Sequence, residues 1–328
     1  MINVLSMKSV SNVDVTGYYM ETIFVACSKV TQTRWFTWDK LPEKKDLIIV
    51  STVVEALKLY LKGYSNIGVW IQGILPEESY LKHKSKFRTL VLSTIEKIVL
   101  KKACIVFVVT EEMILHYKNK YGLDISDKSL IMPCFNTLLD NDSFSNKERY
   151  NNNVFCYAGS LAPWQCFDEI LQLYKKVEQV LDGCELRVFT RDTEKASEKC
   201  KRNIKNYQIK SCTNEELQKE LKNTTYGFIV RDDIEVNRVA TPTKISSYLG
   251  NGVIPIYTDS LRGFSTAAKG KSCVCRIDSI EDSNSIINYC IQVKDVAQIE
   301  KDIRSLYSDY FNREKYIAEI STAIRKIQ

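Results

Sequence analysis

The apolar positions of the chain fall into two recurring patterns. Short apolar runs such as Leu47–Val50, Ile67–Ile71, Cys104–Val109, Val154–Tyr157 and Tyr226–Val230 are bounded by polar or glycine-containing segments and read as buried strands. Between them lie stretches with apolar residues three and four apart, the spacing of one helix face. Ser85–Lys102 is one of these, with Phe87, Leu90, Val91, Ile95 and Ile98 on a shared face. Thr110, followed by Glu111 and Glu112, reads as the cap and first turn of another. Strand and helix alternate from Asp46 to Pro133, which predicts a parallel, doubly wound sheet. The polar segment Leu139–Asn153 (LDNDSFSNKERYNNN) interrupts the alternation and reads as a linker, and the pattern restarts at Val154. The expectation is therefore an α/β protein. It has two Rossmann-like doubly wound domains, residues 1–145 and 146–305, facing an interdomain cleft, and a last helical segment at 306–328. The first forty residues are less patterned. Asn3–Ser6 and Thr22–Cys27 fit strand or helix, and Arg34, Trp35, Phe36 and Trp38 fit a core plug or a sugar-stacking surface.

Composition narrows the class. The chain has 328 residues, 45% hydrophobic and 26% charged, a globular balance with room for two domains. It has no apolar run of about 20 residues and no signal-peptide layout at its start, so a cytoplasmic protein is expected. Its eleven cysteines form no C-x-x-C pair and lie mostly in apolar runs, and its two histidines are His83 and His116. Reduced core thiols are expected, with no metal site. A net charge of +6 allows an anionic partner, and no nucleic-acid motif accompanies it.

The candidate chemistry centres on Tyr226–Thr258, which reads as strand, charged loop, short helix, strand. Thr241-Pro242 reads as a helix start and Gly250-Asn251-Gly252 as its stop. Arg231, Arg238 and Lys244 surround that start, which suits either a phosphate or diphosphate, or a solvated basic cap. In an open α/β sheet ligands bind beyond the carboxyl ends of the strands. In the second half three such ends carry Gly159-Ser160, Arg191-Asp192 and Arg231, so a nucleotide-diphosphate site is expected there. Neither G-x-G-x-x-G nor a P-loop is present. In the first half Gln72-Gly73 precedes Glu77 and Glu78, which read as an acceptor contact or base, or as an acid pair at a helix start. His83 lies in a basic run, Lys82 to Arg88, extended by Lys101 and Lys102, which reads as a lipid-headgroup contact or a solvated face.

The YAGS turn at Tyr157–Ser160, NRVATPTKISSYLGNGVIPI from Asn237, WIQGILPEES from Trp70, VFVVTEEM and IMPCF together resemble the GT-B glycosyltransferases. More narrowly, they are similar to the retaining family 4 type of bacterial capsule and lipopolysaccharide synthesis. The resemblance covers roughly Ile67 to Asp259. It implies transfer of a hexose-type sugar from a nucleotide-diphosphate sugar to a glycan acceptor, free or lipid-linked. It implies no cofactor and no metal, and a last helix that packs back on the first domain. It implies donor contacts from Gly159, Ser160, Arg191, Arg231, Asn237, Arg238, Thr241, Thr243, Lys244 and Ser247. Catalytic roles fall to Glu77, Glu78, Arg231 and Lys244, and acceptor contacts to Gln72, Gly73 and His83. The chain departs from the pattern where many members carry two glutamates with seven residues between them. Val239 and Ser247 hold those positions, and Trp164-Gln165 replaces the basic residue after the glycine turn. A catalytically weak or inactive binding subunit of the same fold is the alternative expectation.

Overall fold

In chain order the strands are β1 (Ile2–Leu5), β2 (Thr33–Phe36), β3 (Leu47–Val50), β4 (Ile67–Trp70), β5 (Ile105–Val108), β6 (Ser129–Ile131), β7 (Val154–Ala158), β8 (Glu185–Phe189), β9 (Tyr207–Lys210), β10 (Tyr226–Ile229), β11 (Ile254–Thr258) and β12 (Cys275–Ile277). The α-helices are α1 (Val15–Ser28), α2 (Val53–Leu61), α3 (Leu75–His83), α4 (Lys86–Lys102), α5 (Glu111–Tyr121), α6 (Phe167–Glu178), α7 (Thr193–Asn203), α8 (Asn214–Leu221), α9 (Glu235–Arg238), α10 (Lys244–Gly250), α11 (Arg262–Ala267), α12 (Ser283–Ile291), α13 (Val296–Asp309) and α14 (Arg313–Ile327). The structure is a computed structural model and describes residues 1–5 and 15–327. Ser6, part of the segment expected as strand or helix, lies outside the described residues, as does Gln328. Thr22–Cys27 is helical, inside α1.

Among the described residues the strands make two six-stranded, all-parallel sheets, so the expected α/β architecture is present. One compact unit comprises Met1–Asn136, Val239–Thr241 and Asn312–Gln328; the other comprises Thr137–Arg238 and Pro242–Phe311. The first unit's sheet runs β2-β1-β3-β4-β5-β6. Its central strands β3, β4 and β5 are buried along their whole length, as a sheet covered on both faces requires. Trp70 ends β4 and stacks on Tyr19 of α1 at 4.4 Å. α14 closes this unit against α1, where Ser321 donates its hydroxyl to the Ala26 carbonyl at 2.9 Å. Trp35 and Trp38, expected as a core plug or stacking surface, are partly exposed, Trp35 stacking on Phe24 at 4.3 Å, while Phe36 between them is buried.

The second unit's sheet runs β12-β11-β10-β7-β8-β9. The chain moves outward from β7 to β9, then returns to build β10, β11 and β12 on the other side of β7. The order therefore reverses between β7 and β10, which pair through Tyr226 with Phe155 and Gly227 with Cys156. The two halves of such a sheet send their connections to opposite faces, which leaves a crevice at the carboxyl ends of these two strands. The polar segment 139–153 belongs to this unit and is anchored in it. Arg149 is buried and donates to the carbonyls of Lys222 (2.7 Å) and Asn251 (2.8 Å) and to the Tyr150 hydroxyl (2.9 Å). Polar composition alone concealed those anchors, because they are side-chain bonds to distant carbonyls.

Candidate active site

The crevice of the second unit is built first by backbone. β7 ends at Ala158, and Gly159 follows with φ +147, a conformation that L side chains rarely adopt. Its N–H donates to the Phe189 carbonyl at 2.9 Å. A side chain at this position would stand 2.6 Å from both Cε and Nζ of Lys244, so the glycine is what lets that amine reach the turn. Tyr157, inside β7, donates its hydroxyl to the Ser160 carbonyl at 2.5 Å. Its ring lies 4.3 Å below Lys244 Nζ.

β10 brings in the second cation. Arg231 is buried, and its backbone N–H donates to Thr258 Oγ1 at 2.9 Å. Its guanidinium donates to the Trp164 carbonyl. Burial pulls the Arg231 pKa below its usual value. Lys244 opens α10 and donates from Nζ to Gln165 Oε1 at 2.5 Å. Desolvation first, and the Arg231 charge second, hold the Lys244 pKa well below the ordinary lysine value. Among the described residues no carboxylate pairs with either group. Two mutually repelling cations are thus held at one glycine turn by neutral oxygens of a single loop, Pro163–Gln165. That loop is a 3-10 turn, and α6 begins only after Cys166, whose φ is +52. Such a pair suits a polyanion that brings its own oxygens.

The remaining expected donor residues divide. Arg238 does not join the pair; it grips Asp233 with two bonds, Nε–Oδ1 at 2.6 Å and Nη2–Oδ2 at 2.9 Å, and reaches Glu235 at 3.5 Å. Thr241 does not cap the helix. Its hydroxyl accepts the Cys134 N–H at 2.8 Å, and it clusters with the first unit. The helix starts two residues later than its Thr-Pro signal implied. Thr243 sits at the cap position with no side-chain cap bond, and its carbonyl accepts the Ser247 N–H at 3.1 Å. α10 has only seven residues, so its end contributes little field of its own. Asn237 is buried and ties the loop by donating to the Asp232 carbonyl at 2.9 Å. Ser247 Oγ lies 3.2 Å from Thr137 Oγ1. Ser160 and Arg191 are exposed at the ends of β7 and β8. Beside Arg231, a cavity of about 360 Å³ spans the carboxyl ends of β10, β11 and β12, lined also by Asp232, Asp259, Arg262 and Asp278. Tyr157, under the amine, was given no role from sequence beyond opening the YAGS turn; its place at the end of a continuous apolar run marks it as core.

In the first unit, Gln72 and Gly73 form the loop after β4, and Glu77 and Glu78 sit in the first turn of α3. Gly73 leaves room for Glu78, whose Oε1 would stand 2.0 Å from a side chain there. Desolvation, then the neighbouring Glu77 charge, raise the Glu78 pKa, though its outer surface is open to water. Glu77 is ion-paired: its Oε1 meets Lys120 Nζ at 2.6 Å. Lys120 also lies 3.5 Å from Glu96, a fully buried acid that accepts the Tyr121 hydroxyl at 2.7 Å. Burial pushes the Glu96 pKa up to about 7, against the lowering pull of Tyr121 and Lys120. His83 is exposed at the far end of α3.

The twin parallel sheets define the class of fold, that of the GT-B glycosyltransferases. Among solved structures, the chain is similar to HepE of Anabaena in complex with UDP and glucose (TM-score 0.68, 12% identity, 99% of each chain covered). It is also similar to WaaG, a glycosyltransferase involved in lipopolysaccharide biosynthesis (TM-score 0.63, 13% identity, 98% of this chain and 99% of that one). A third is a TarM variant of S. aureus in complex with fondaparinux, alpha-GlcNAc-glycerol and UDP (TM-score 0.64, 14% identity). That match covers 87% of this chain and 55% of TarM. No protein-family model matches the chain, and no curated protein matches it. At these identities the likeness is one of fold.

Proposed function

We propose that this chain is a glycosyltransferase that moves a hexose-type sugar from a nucleotide-diphosphate sugar to a glycan acceptor. The observation that carries the reading is the carboxylate-free pair Arg231 and Lys244 at the Gly159 turn. In this reaction the bond from the anomeric carbon to the diphosphate oxygen breaks, and its electrons stay on that oxygen. The acceptor oxygen bonds to the same carbon, and the acceptor proton leaves to a base or to the departing phosphate. Fixed cations beside the leaving oxygen lower the barrier because the charge there grows as the bond breaks. Two side-chain cations supply what a metal ion would otherwise supply, which supports a metal-independent reaction. A retaining course and a place in surface-polysaccharide synthesis, with a lipid-linked acceptor, rest on the sequence resemblance. Ser160, Thr243 and Ser247 are assigned to the donor, and Gln72, Gly73, Glu78 and His83 to the acceptor.

A second reading is a sugar-nucleotide-binding subunit without turnover. The side chain of Ser247, which holds a position where many family members carry glutamate, is taken up by Thr137. A thermal-shift screen against pyrophosphate, UDP, GDP, CDP, dTDP and their sugars tests both, since a ligand of the folded form raises its melting temperature. Stabilisation by pyrophosphate and one nucleotide series, followed by sugar release from that donor, is the expected result. Binding without release selects the second reading, and no binding at all overturns both.

A further inference from the structure

Tyr157 touches both the glycine turn and the amine that meets it. It is fully buried in β7, with its ring tilted against Phe167 at 5.0 Å. The same ring carries Lys244 Nζ at 4.3 Å from its centre. Its hydroxyl donates to the Ser160 carbonyl at 2.5 Å, so that carbonyl's partial negative charge is already taken up at a turn suited to an anion. α10 is bolted to the same turn. Tyr248 lies four residues after Lys244, on the same face of the helix, and its hydroxyl accepts the Ala158 N–H at 2.9 Å. Gly227 in β10 makes room for that ring, since a Cβ there would stand 2.4 Å from it. The backbone of Lys244 is thereby fixed relative to β7, and the freedom that remains is in the lysine's four-carbon stem. Gln165 Oε1 takes one of its three N–H donors, and the Tyr157 face is the second contact.

We infer that Tyr157 is a positioning residue, whose ring holds the Lys244 ammonium group at the Gly159 turn before the diphosphate arrives. The inference rests on reading the turn as a diphosphate site. The face of an aromatic ring carries negative potential and attracts an ammonium group most strongly where water is thin. A carboxylate in its place would hold the amine harder, but its full charge would repel the phosphates. An aliphatic side chain would leave the stem free to swing, and that freedom would be lost on binding. A ring face holds the cation without opposing the anion. Burial alone does not account for this placement. Phe155, two residues earlier in the same strand and equally buried, contacts the rings of Tyr174, Tyr226 and Phe228.

The test changes the charge of the ring face and keeps its shape. Tyr157→Phe is compared, in the full chain, with 4-fluoro-, 3,5-difluoro- and 3,4,5-trifluorophenylalanine at the same position, by calorimetry with pyrophosphate. Tyr157→Phe is expected to lose about threefold in affinity, the share of the hydroxyl. Each added fluorine should weaken binding further, to roughly tenfold across the series, because fluorine drains the ring face. In a Lys244→Met background the series should be flat, whereas a packing role would give the same trend in both backgrounds. Placement is read without ligand: in protein carrying carbon-13-labelled lysine, one ε-methylene resonance, missing in Lys244→Met, should stand upfield through the ring current in every aromatic variant. Absence of that displaced resonance, a flat series in a protein that binds pyrophosphate, or an equal slope in the Lys244→Met background would each overturn the role of Tyr157 alone. A wild type that keeps the displaced resonance and binds no pyrophosphate would overturn the reading of the site, and reduce the ring contact to packing.

Discussion

Replacing Lys244 by methionine should strengthen the fold and weaken the site. The amine is held by one neutral oxygen, Gln165 Oε1 at 2.5 Å, and by the face of Tyr157 at 4.3 Å. Desolvation and the Arg231 charge both work against its ammonium form. A lysine whose folded pKa is depressed gives stability that is present above its unfolded pKa, about 10.4. That stability is lost as pH falls through the folded value, so at neutral pH the wild type carries the cost. Methionine keeps the stem and removes the charge, so K244M should be more stable by about 1 kcal/mol at pH 7, with the gap closing above pH ~10. A charged hydrogen bond to phosphate contributes about 1.5–3 kcal/mol, so the same variant should bind pyrophosphate roughly 10- to 150-fold more weakly. Urea unfolding at two pH values and calorimetry with pyrophosphate measure the two effects. A variant that is less stable and binds pyrophosphate as wild type does would refute the argument: Lys244 would then be a packing residue.

Two further outcomes follow from buried groups elsewhere. Glu96 has a folded pKa of about 7 against an unfolded value near 4.3, so its contribution is fully present below pH ~4 and is lost as pH rises towards 7. Wild type should lose about 3 kcal/mol across that window through this group, while E96Q should lose none there and be the more stable protein at pH 8, as denaturant titrations at several pH values would read. R149M should cost about 3 kcal/mol in the same assay, because the carbonyls of Lys222 and Asn251 lose a charged donor inside the second unit.

The alternation of strand and helix was legible because β3, β4, β5, β7 and β10 are short apolar runs whose period cannot be mistaken for an exposed helix. The position of Gly159 and of Arg231 at neighbouring strand ends was legible for the same reason. What lay beyond reach was which partner each side chain finds. Thr241 carries every local mark of a helix cap, yet its hydroxyl serves Cys134, more than a hundred residues earlier. Arg238 looks free in a charged loop, yet the loop folds Asp233 onto it. The apolar face of α4 was visible as a periodicity, but periodicity reports that a face exists and not what covers it.

The union of α14 with α1 has a consequence for how the first unit comes together. Arg313 donates from Nε to Thr22 Oγ1 across 291 residues, and Ser321 meets Ala26 across 295. The sheet from β1 to β6 is complete within the first 136 residues, but the helical layer over it is finished by chain that comes after the whole second unit. Ring closure over that span is entropically costly, so the α1 surface that α14 covers is expected to be buried after the sheet has formed. A fragment ending at Asn136 would carry that surface uncovered, and dissecting the protein into independent halves requires grafting α14 onto the first of them.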